Sequence, residues 1–274
     1  VIYMEPKIFY YSGTGNCLFV AKTLAQKING QHLNIFEYQK EQEIDSDVIG
    51  FVFPCYAYTY PKILNKLIKQ ISFSKKPKFV FCIITYGSTF GRAGIQFVKR
   101  LEKTGLKADY MTGILMPENY IAIFKPDRES VIDTKLHNAK VSIDKIAQDI
   151  INRVQYFEQH NRLLDYIKTA VVGTIFNGFL NFSHIFFKAN KSCSSCGICV
   201  KVCQVNNIVI KNGKPKWKGH CTQCMACLNW CPQKCIDYTP ITKKRERYTN
   251  PEVTLKELYN KTIKTGQGSP YYII

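Results

Sequence analysis

The sequence predicts an α/β chain: a doubly wound, parallel five-stranded sheet followed by a small cysteine-rich domain. Three observations lead there. Apolar runs of strand length alternate with helical patterns over the first 160 residues, the rhythm of a parallel sheet. That rhythm stops after residue 190, and nine of the 12 cysteines then fall between Cys193 and Cys235. With 274 residues the chain has room for two modest domains with buried cores.

The strands are expected at Lys7 to Tyr11, His32 to Phe36, Val48 to Phe53, Lys78 to Thr85 and Ala108 to Leu115. Helices are expected at Asn16 to Ile28, Pro61 to Gln70 and Ala93 to Thr104, with a long one within Val131 to His160. Pro61 suits a first helical turn, and Gly30 and Gly105 stand just past helix ends, as C-caps do. Beyond residue 190 the clearest strand is Ile208 to Lys211, and Asn212-Gly213 is a type I′ hairpin turn. The expected division is a sheet domain at 1–160, a connecting helical segment at 161–190, a cysteine-rich domain at 191–240 and a solvated basic tail at 241–274.

Hydrophobic residues make up 46% of the chain and charged residues 21%, which sets disorder aside. Lys and Arg number 38 against 20 Asp and Glu, a formal +18. Such an excess suits nucleic acid or anionic lipid, but the count treats every cysteine as neutral, and a metal centre would make many of them thiolates. The first apolar run, Ile8 to Tyr11, ends in a Ser-Gly-Thr-Gly sequence rather than a cleavage site, so a cytoplasmic protein is expected. Leu163 to Phe187 is a long apolar stretch interrupted by Asp165, Lys168, Asn177, Asn181 and His184. It reads as an amphipathic or core helix, with membrane contact disfavoured.

The strongest motif is Cys193-x2-Cys196-x2-Cys199-x3-Cys203, repeated as Cys221-x2-Cys224-x2-Cys227-x3-Cys231-Pro232. Three thiolates within seven residues wrap one face of an iron-sulfur cubane. Zinc is the rival, but its sites favour two ligand pairs separated by a dozen or more residues. Cys235 reads as a buried spacer, and Cys17, Cys55 and Cys82 as core thiols. The run resembles bacterial two-cluster ferredoxins over about fifty residues. That resemblance implies two [4Fe-4S] clusters with crossed ligands: Cys193, Cys196, Cys199 and Cys231 for one, and Cys221, Cys224, Cys227 and Cys203 for the other. Gln204 departs from the family, which usually has proline after its fourth cysteine.

A second motif, Ser12-Gly13-Thr14-Gly15-Asn16-Cys17, lies between the first strand and the first helix, where hydroxyls, an amide and backbone N–H groups can enclose a phosphate. A dinucleotide fingerprint is the rival, with Leu18 in the place of its third glycine. Two loops leave the carboxyl edge of the sheet: Pro54-Cys55-Tyr56-Ala57-Tyr58-Thr59-Tyr60-Pro61 and Thr85-Tyr86-Gly87-Ser88-Thr89-Phe90-Gly91. Together the three loops resemble those of flavodoxins, with Cys17 standing where that family commonly has threonine. The resemblance implies FMN, its phosphate held by Ser12 to Cys17 and its ring by Pro54, Tyr56, Ala57, Tyr58, Thr85, Tyr86, Gly87 and Gly91.

Over most of its length the chain thus looks like a fused flavodoxin-ferredoxin protein of anaerobes. The expected function is an electron carrier or oxidoreductase serving a redox protein or a small-molecule acceptor. The alternatives are a flavin-dependent reductase of a small substrate fed through the clusters, and a basic nucleic-acid-binding module, which is not expected. The five histidines are dispersed, and no catalytic residue is assigned.

Overall fold

A computed structural model describes residues 5–38, 43–158, 163–180 and 182–259 of the protein. The chain divides into two units. The first holds the chain through Ser12 together with Asn16–Glu118 and Asp127–Asn177; the second holds Gly13–Gly15, Asn119–Pro126 and the chain from Gly178 onward. Two loops embedded in the sheet region of the sequence therefore group with the cysteine-rich end, which contiguous domain boundaries did not anticipate.

In the first unit the elements run β1 (Lys7–Tyr10), α1 (Asn16–Lys27), β2 (Gln31–Asn34), β3 (Glu43–Ile44), β4 (Val48–Pro54), α2 (Leu64–Leu67), β5 (Ser72–Phe73) and β6 (Phe79–Tyr86). They continue with α3 (Ala93–Glu102), β7 (Tyr110–Leu115), α4 (Glu129–Ile151), β8 (Tyr156–Phe157) and α5 (Leu163–Phe179). The sheet is parallel throughout, in the order β2-β1-β4-β6-β7-β8, while β3 and β5 form a separate parallel pair. The five expected strands are all present, and the order of those five, 2-1-3-4-5, is that of a flavodoxin-like sheet. Two-residue β8 adds a sixth strand at the edge, too short to carry a pattern in the sequence.

Every residue of β4 is buried, and so is β6 up to Thr85, as continuous apolar runs require. Gly50 admits the Phe81 ring: a Cβ there would lie 2.2 Å from Phe81 Cζ. Phe97 of α3 packs on Phe51 and Phe53, with ring centroids 5.6 and 4.3 Å away. Gly105, at φ +84°, closes α3 as expected, with Leu106 N donating to Leu101 O and Gly105 N to Glu102 O. At the end of α1 the left-handed residue is Asn29, not Gly30. Gly30 is needed for a different reason, because a Cβ there would meet Pro6 O at 2.7 Å. The expected helix at 61–70 shrinks to α2 and a 3-10 turn at Ile68–Gln70. The long fourth helix ends at Ile151, and the expected reach to His160 extends past the described residues.

In the second unit β9 (Phe187–Ala189) pairs antiparallel with β12 (Ile236–Tyr238). Between them lie the one-turn helices α6 (Ile198–Lys201) and α7 (Ala226–Asn229) and a hairpin of β10 (Ile208–Lys211) and β11 (Lys214–Trp217). The hairpin turn has Asn212 and Gly213 at φ 51° and 70°, the type I′ geometry expected of Asn-Gly. Phe187 stacks on Trp217 at 5.5 Å and meets Tyr238 edge-on at 5.0 Å.

The segment after residue 240 is not a solvated tail as far as Tyr259; residues 260–274 lie outside the described residues. Thr242, Tyr248, Asn250, Val253 and Leu258 are buried, and α8 (Leu255–Leu258) starts with a Thr254–Glu257 capping box. Two of its basic residues are structural. Arg245 donates to the carbonyls of Ile121 and Phe124. Arg247, its side chain 6% exposed, meets Asp237 at 2.9 Å and donates to the carbonyls of Ile236, Thr242 and Arg245. Removing one partner of such a pair strands a buried charge, so Arg247→Ala is expected to cost about 3–5 kcal/mol. Urea unfolding followed by tryptophan fluorescence checks this, because both tryptophans, Trp217 and Trp230, lie in this unit.

Candidate functional site

The sheet reverses its winding between β1 and β4, so the loops leaving those strands flank the switch point where open α/β sheets bind ligands. After β1 the whole of Tyr11–Val20 is buried. Asn16 Nδ2 donates to Pro117 O, and Cys17 Sγ lies 3.0 Å from Thr85 Oγ1. The N–H groups of Gly13 and Thr14 find no acceptor among the described residues, at the N-terminus of a three-turn helix. Thr14 Oγ1 accepts from Asn119 Nδ2 at 2.7 Å, which leaves its own proton to donate.

The two glycines of this loop have a packing role that the motif did not disclose. A Cβ on Gly13 would lie 2.3 Å from Cys224 O, and one on Gly15, at φ +103°, would lie 2.8 Å from Asn250 Cβ. Trp230 Nε1 donates to Gly13 O, and Asn250 N donates to Thr14 O. Asn119, Trp230 and Asn250 were not among the expected site residues. Isolated polar side chains that act over long sequence separations leave no local pattern to find.

After β4, Tyr56 and Thr59 close a two-residue turn by mutual backbone hydrogen bonds. Its central residues, Ala57 and Tyr58, have φ of 48° and 65° without being glycine, a strained choice that marks a constrained loop. Tyr56 OH donates to Tyr11 OH, and Lys168 Nζ stands 5.7 Å from the Tyr58 ring. In the loop after β6, Tyr86 packs on Phe90, and burial, then the Glu158 carboxylate, raise its phenol pKa. Gly87 faces Glu118, whose Oε2 would lie 2.4 Å from a Cβ there. Gly91, at φ +50°, packs against Tyr58 and Thr169. The structure thus brings Tyr58 and Gly91 together and sets Tyr56 apart on Tyr11 and Phe176.

In the second unit the cysteines surround two cavities of about 310 Å³ each, open space at the mouth included. Cys193, Cys196, Cys199 and Cys231 line the first, and Cys203, Cys221, Cys224 and Cys227 line the second. Local backbone geometry explains the grouping. Ser195 and Gly197 in the first run, and Gln223 and Met225 in the second, all have φ between 58° and 75°. These left-handed residues fall at matching places in the repeat and turn three cysteines of each run toward one cavity. The helical turns α6 and α7 then carry the fourth cysteine to the other cavity. Cys235 also lines the first, its Sγ 3.4 Å from that of Cys231.

Residues 192–236 match the 4Fe-4S dicluster domain family. No curated protein matches the chain. Among solved structures, a flavodoxin from the domain Archaea is 16% identical, covering 54% of this chain and 99% of its own, with a TM-score of 0.37. The two-electron reduced flavodoxin of Megasphaera elsdenii is 18% identical, covering 39% and 84%, at 0.34. Rubredoxin oxygen:oxidoreductase from the anaerobe Desulfovibrio gigas is 14% identical, covering 56% and 37%, at 0.38. It is the strand order, not these similarities, that makes the sheet flavodoxin-like.

The donor set of the dicluster segment fits iron-sulfur clusters. Ile198, Ile210 and Ile236 line one cavity, and Phe187, Val205, Ile208, Met225 and Ala226 the other. Burial, the leading cause, pushes the Cys199 thiol up to about 11 and raises Cys221 and Cys227 as well. Four thiolates gather in such surroundings only around a cationic core.

Asn207 organises the second cavity. Its Oδ1 accepts from the N–H groups of Lys218, Gly219 and His220, and its own N–H donates to Cys203 Sγ at 3.2 Å. Its Nδ2 and the Nε1 of Trp217 are buried without a well-placed acceptor, on side chains that line this cavity. Trp217 nonetheless favours the Cys227 thiolate. Two donors facing a sulfur-lined space fit a cluster that accepts N–H···S bonds.

Cys17, Cys55 and Cys82 line neither cavity. Burial pushes the thiols of Cys17 and Cys55 up to about 12 and raises that of Cys82 further. At pH 8 only about one in ten thousand such thiols is ionised, and ionisation rises as pH approaches the shifted values. Iodoacetamide at pH 8 is expected to leave Cys17, Cys55 and Cys82 unlabelled until the protein unfolds. Peptide mass spectrometry checks it, and labelling of any of the three in the folded protein contradicts a core role.

Proposed function

We propose that the chain is an electron-transfer iron-sulfur flavoprotein that relays single electrons between a redox partner, FMN and two [4Fe-4S] clusters. One observation carries the reading: each of two apolar cavities is ringed by three thiols from one cysteine run and one from the other. The FMN part draws its support from the N–H groups of Gly13 and Thr14, which find no acceptor among the described residues, and from the strained Tyr56–Thr59 turn beside the switch point.

A bound flavin exchanges electrons singly or in pairs, and a cubane singly, so their union joins two-electron to one-electron chemistry. The chain's own residues set the conditions. Cys193, Cys196, Cys199 and Cys231 would hold one cluster, and Cys221, Cys224, Cys227 and Cys203 the other. Met225 and Ala226 exclude water from the second cavity, and Ile198 from the first. Ser12 to Cys17 would hold the phosphate, with Pro54, Tyr56, Ala57, Tyr58, Thr85, Tyr86, Gly87 and Gly91 around the ring.

Protein purified without oxygen is expected to carry about eight irons and one FMN per chain. The crossed ligand sets make a sharper test by electron paramagnetic resonance. Cys203→Ala should remove the same reduced-cluster signal as Cys224→Ala, and Cys231→Ala the same signal as Cys196→Ala. If Cys203→Ala instead matches Cys196→Ala, the ligands do not cross.

Trp217→Phe keeps the stack on Phe187 but removes a donor to sulfur. The reduced cluster carries the more negative charge and loses more from this, so its midpoint potential should fall with iron content unchanged. Potentiometric titration of the two signals reads it; equal shifts in both clusters, or none, contradict the assignment.

A further inference from the structure

Helix α5 is amphipathic in the inverse sense. The strip it packs against its own unit is polar or small: Asp165, Thr169 and Gly173, at successive i, i+4 positions, are buried. Thr169 Oγ1 donates to Tyr58 O at 3.3 Å, and Gly173 lets Thr59 approach so closely that a Cβ would lie 2.5 Å from its Cγ2. At 100° per residue these three positions span only about a quarter of the helix circumference. The outward side holds Leu163, Ile167, Val171 and Ile175, which are 75%, 51%, 53% and 68% exposed, with Tyr166 and Val172 beside them. Surface helices normally turn such residues inward, and an exposed apolar stripe of this extent marks an interaction surface.

Charge selects what covers it. The acid of this helix, Asp165, lies in the buried strip, whereas Lys168 is exposed and Arg92 stacks on Tyr166 at 3.6 Å. From Tyr166 to Phe179 the helix carries Lys168 and no Asp or Glu. Apolar side chains with cations and no exposed acid complement anionic headgroups above acyl chains, while two copies of such a face would repel each other. No helix among the described residues is long and apolar enough to cross a membrane.

We infer that α5 lies in the plane of an anionic lipid surface and docks the protein there through Leu163, Tyr166, Ile167, Val171, Val172 and Ile175. This reverses the reading of the same stretch from sequence, where its mixed composition disfavoured membrane contact.

The test is flotation of the full, cofactor-loaded chain with phosphatidylcholine vesicles, with and without phosphatidylglycerol, at low and high salt. The wild type should float with the phosphatidylglycerol vesicles and be released in part by salt. Ile167→Gln combined with Ile175→Gln should weaken binding by at least about tenfold, since both side chains are already in water and the fold does not depend on burying them. Lys168→Glu should weaken binding at low salt more than at high salt. Ile241→Gln, at an exposed site on the second unit, should bind like the wild type, and far-ultraviolet circular dichroism with an unchanged melting temperature confirms that each variant is folded. Failure of the wild type to float overturns the inference, as does wild-type binding by the double variant. Light scattering that shows a dimer lost in the double variant, without lipid binding by the wild type, also overturns it and assigns the face to a second copy.

Discussion

Each cavity of the second unit takes thiols from both cysteine runs, and most of that unit's order follows from this crossing. Neither run closes a cavity alone, because the fourth thiol comes from the end of the other run's helical turn. The two runs must therefore fold against each other, and α6 and α7 pack together where they do. A cysteine-rich segment of this size buries too little apolar surface to fold readily on that basis. Its backbone is pinned instead by polar groups that reach across it. Asn207 gathers three successive N–H groups ahead of Cys221, and Arg247 binds Asp237 and three carbonyls around β12.

The first unit meets the opposite constraint. Its parallel strands are buried on both faces, so they read as unbroken apolar runs, and their places were legible in the sequence for that reason. β4 begins at Val48 and β7 ends at Leu115, as the apolar runs indicate. What pattern cannot reach is short or edge structure. Two-residue β3, β5 and β8 have no periodicity, and α2 contracts to one turn before a 3-10 segment. Gly30 shows how a correct signal can carry the wrong cause: the helix end is beside it, but Asn29 makes the turn and the glycine serves contact with Pro6.

The same distinction holds at the candidate site. Thiols at fixed local spacing are legible, because one backbone path wraps three of them around one space, and the repeat shows that path twice. The residues that hold the path in place were not. Asn119, Asn207, Trp230, Arg247 and Asn250 act across tens to more than two hundred residues of sequence, each with a partner that sequence does not name. The glycines of the Ser12–Cys17 loop belong to both classes. Their spacing resembles a phosphate loop, and their missing side chains also make room for Cys224 and Asn250.

Net charge needs the same dissection before it indicates a partner. Arg247 and Arg245 belong to the part of the excess that supports the fold: one is paired with a buried acid, and the other donates to the Ile121 and Phe124 carbonyls within the 119–126 loop. The lysines that follow Asp165 are different, because no acid stands among them for seventy residues. Lys168 belongs to this group and sits on a helix whose exposed side is apolar but for it and Thr174. A cation in that setting adds little to folding, since the acid that would pair with it one turn away is absent and Asp165 is turned inward. Unburied apolar surface beside a solvated cation on one helix is best satisfied by a single anionic, amphipathic surface.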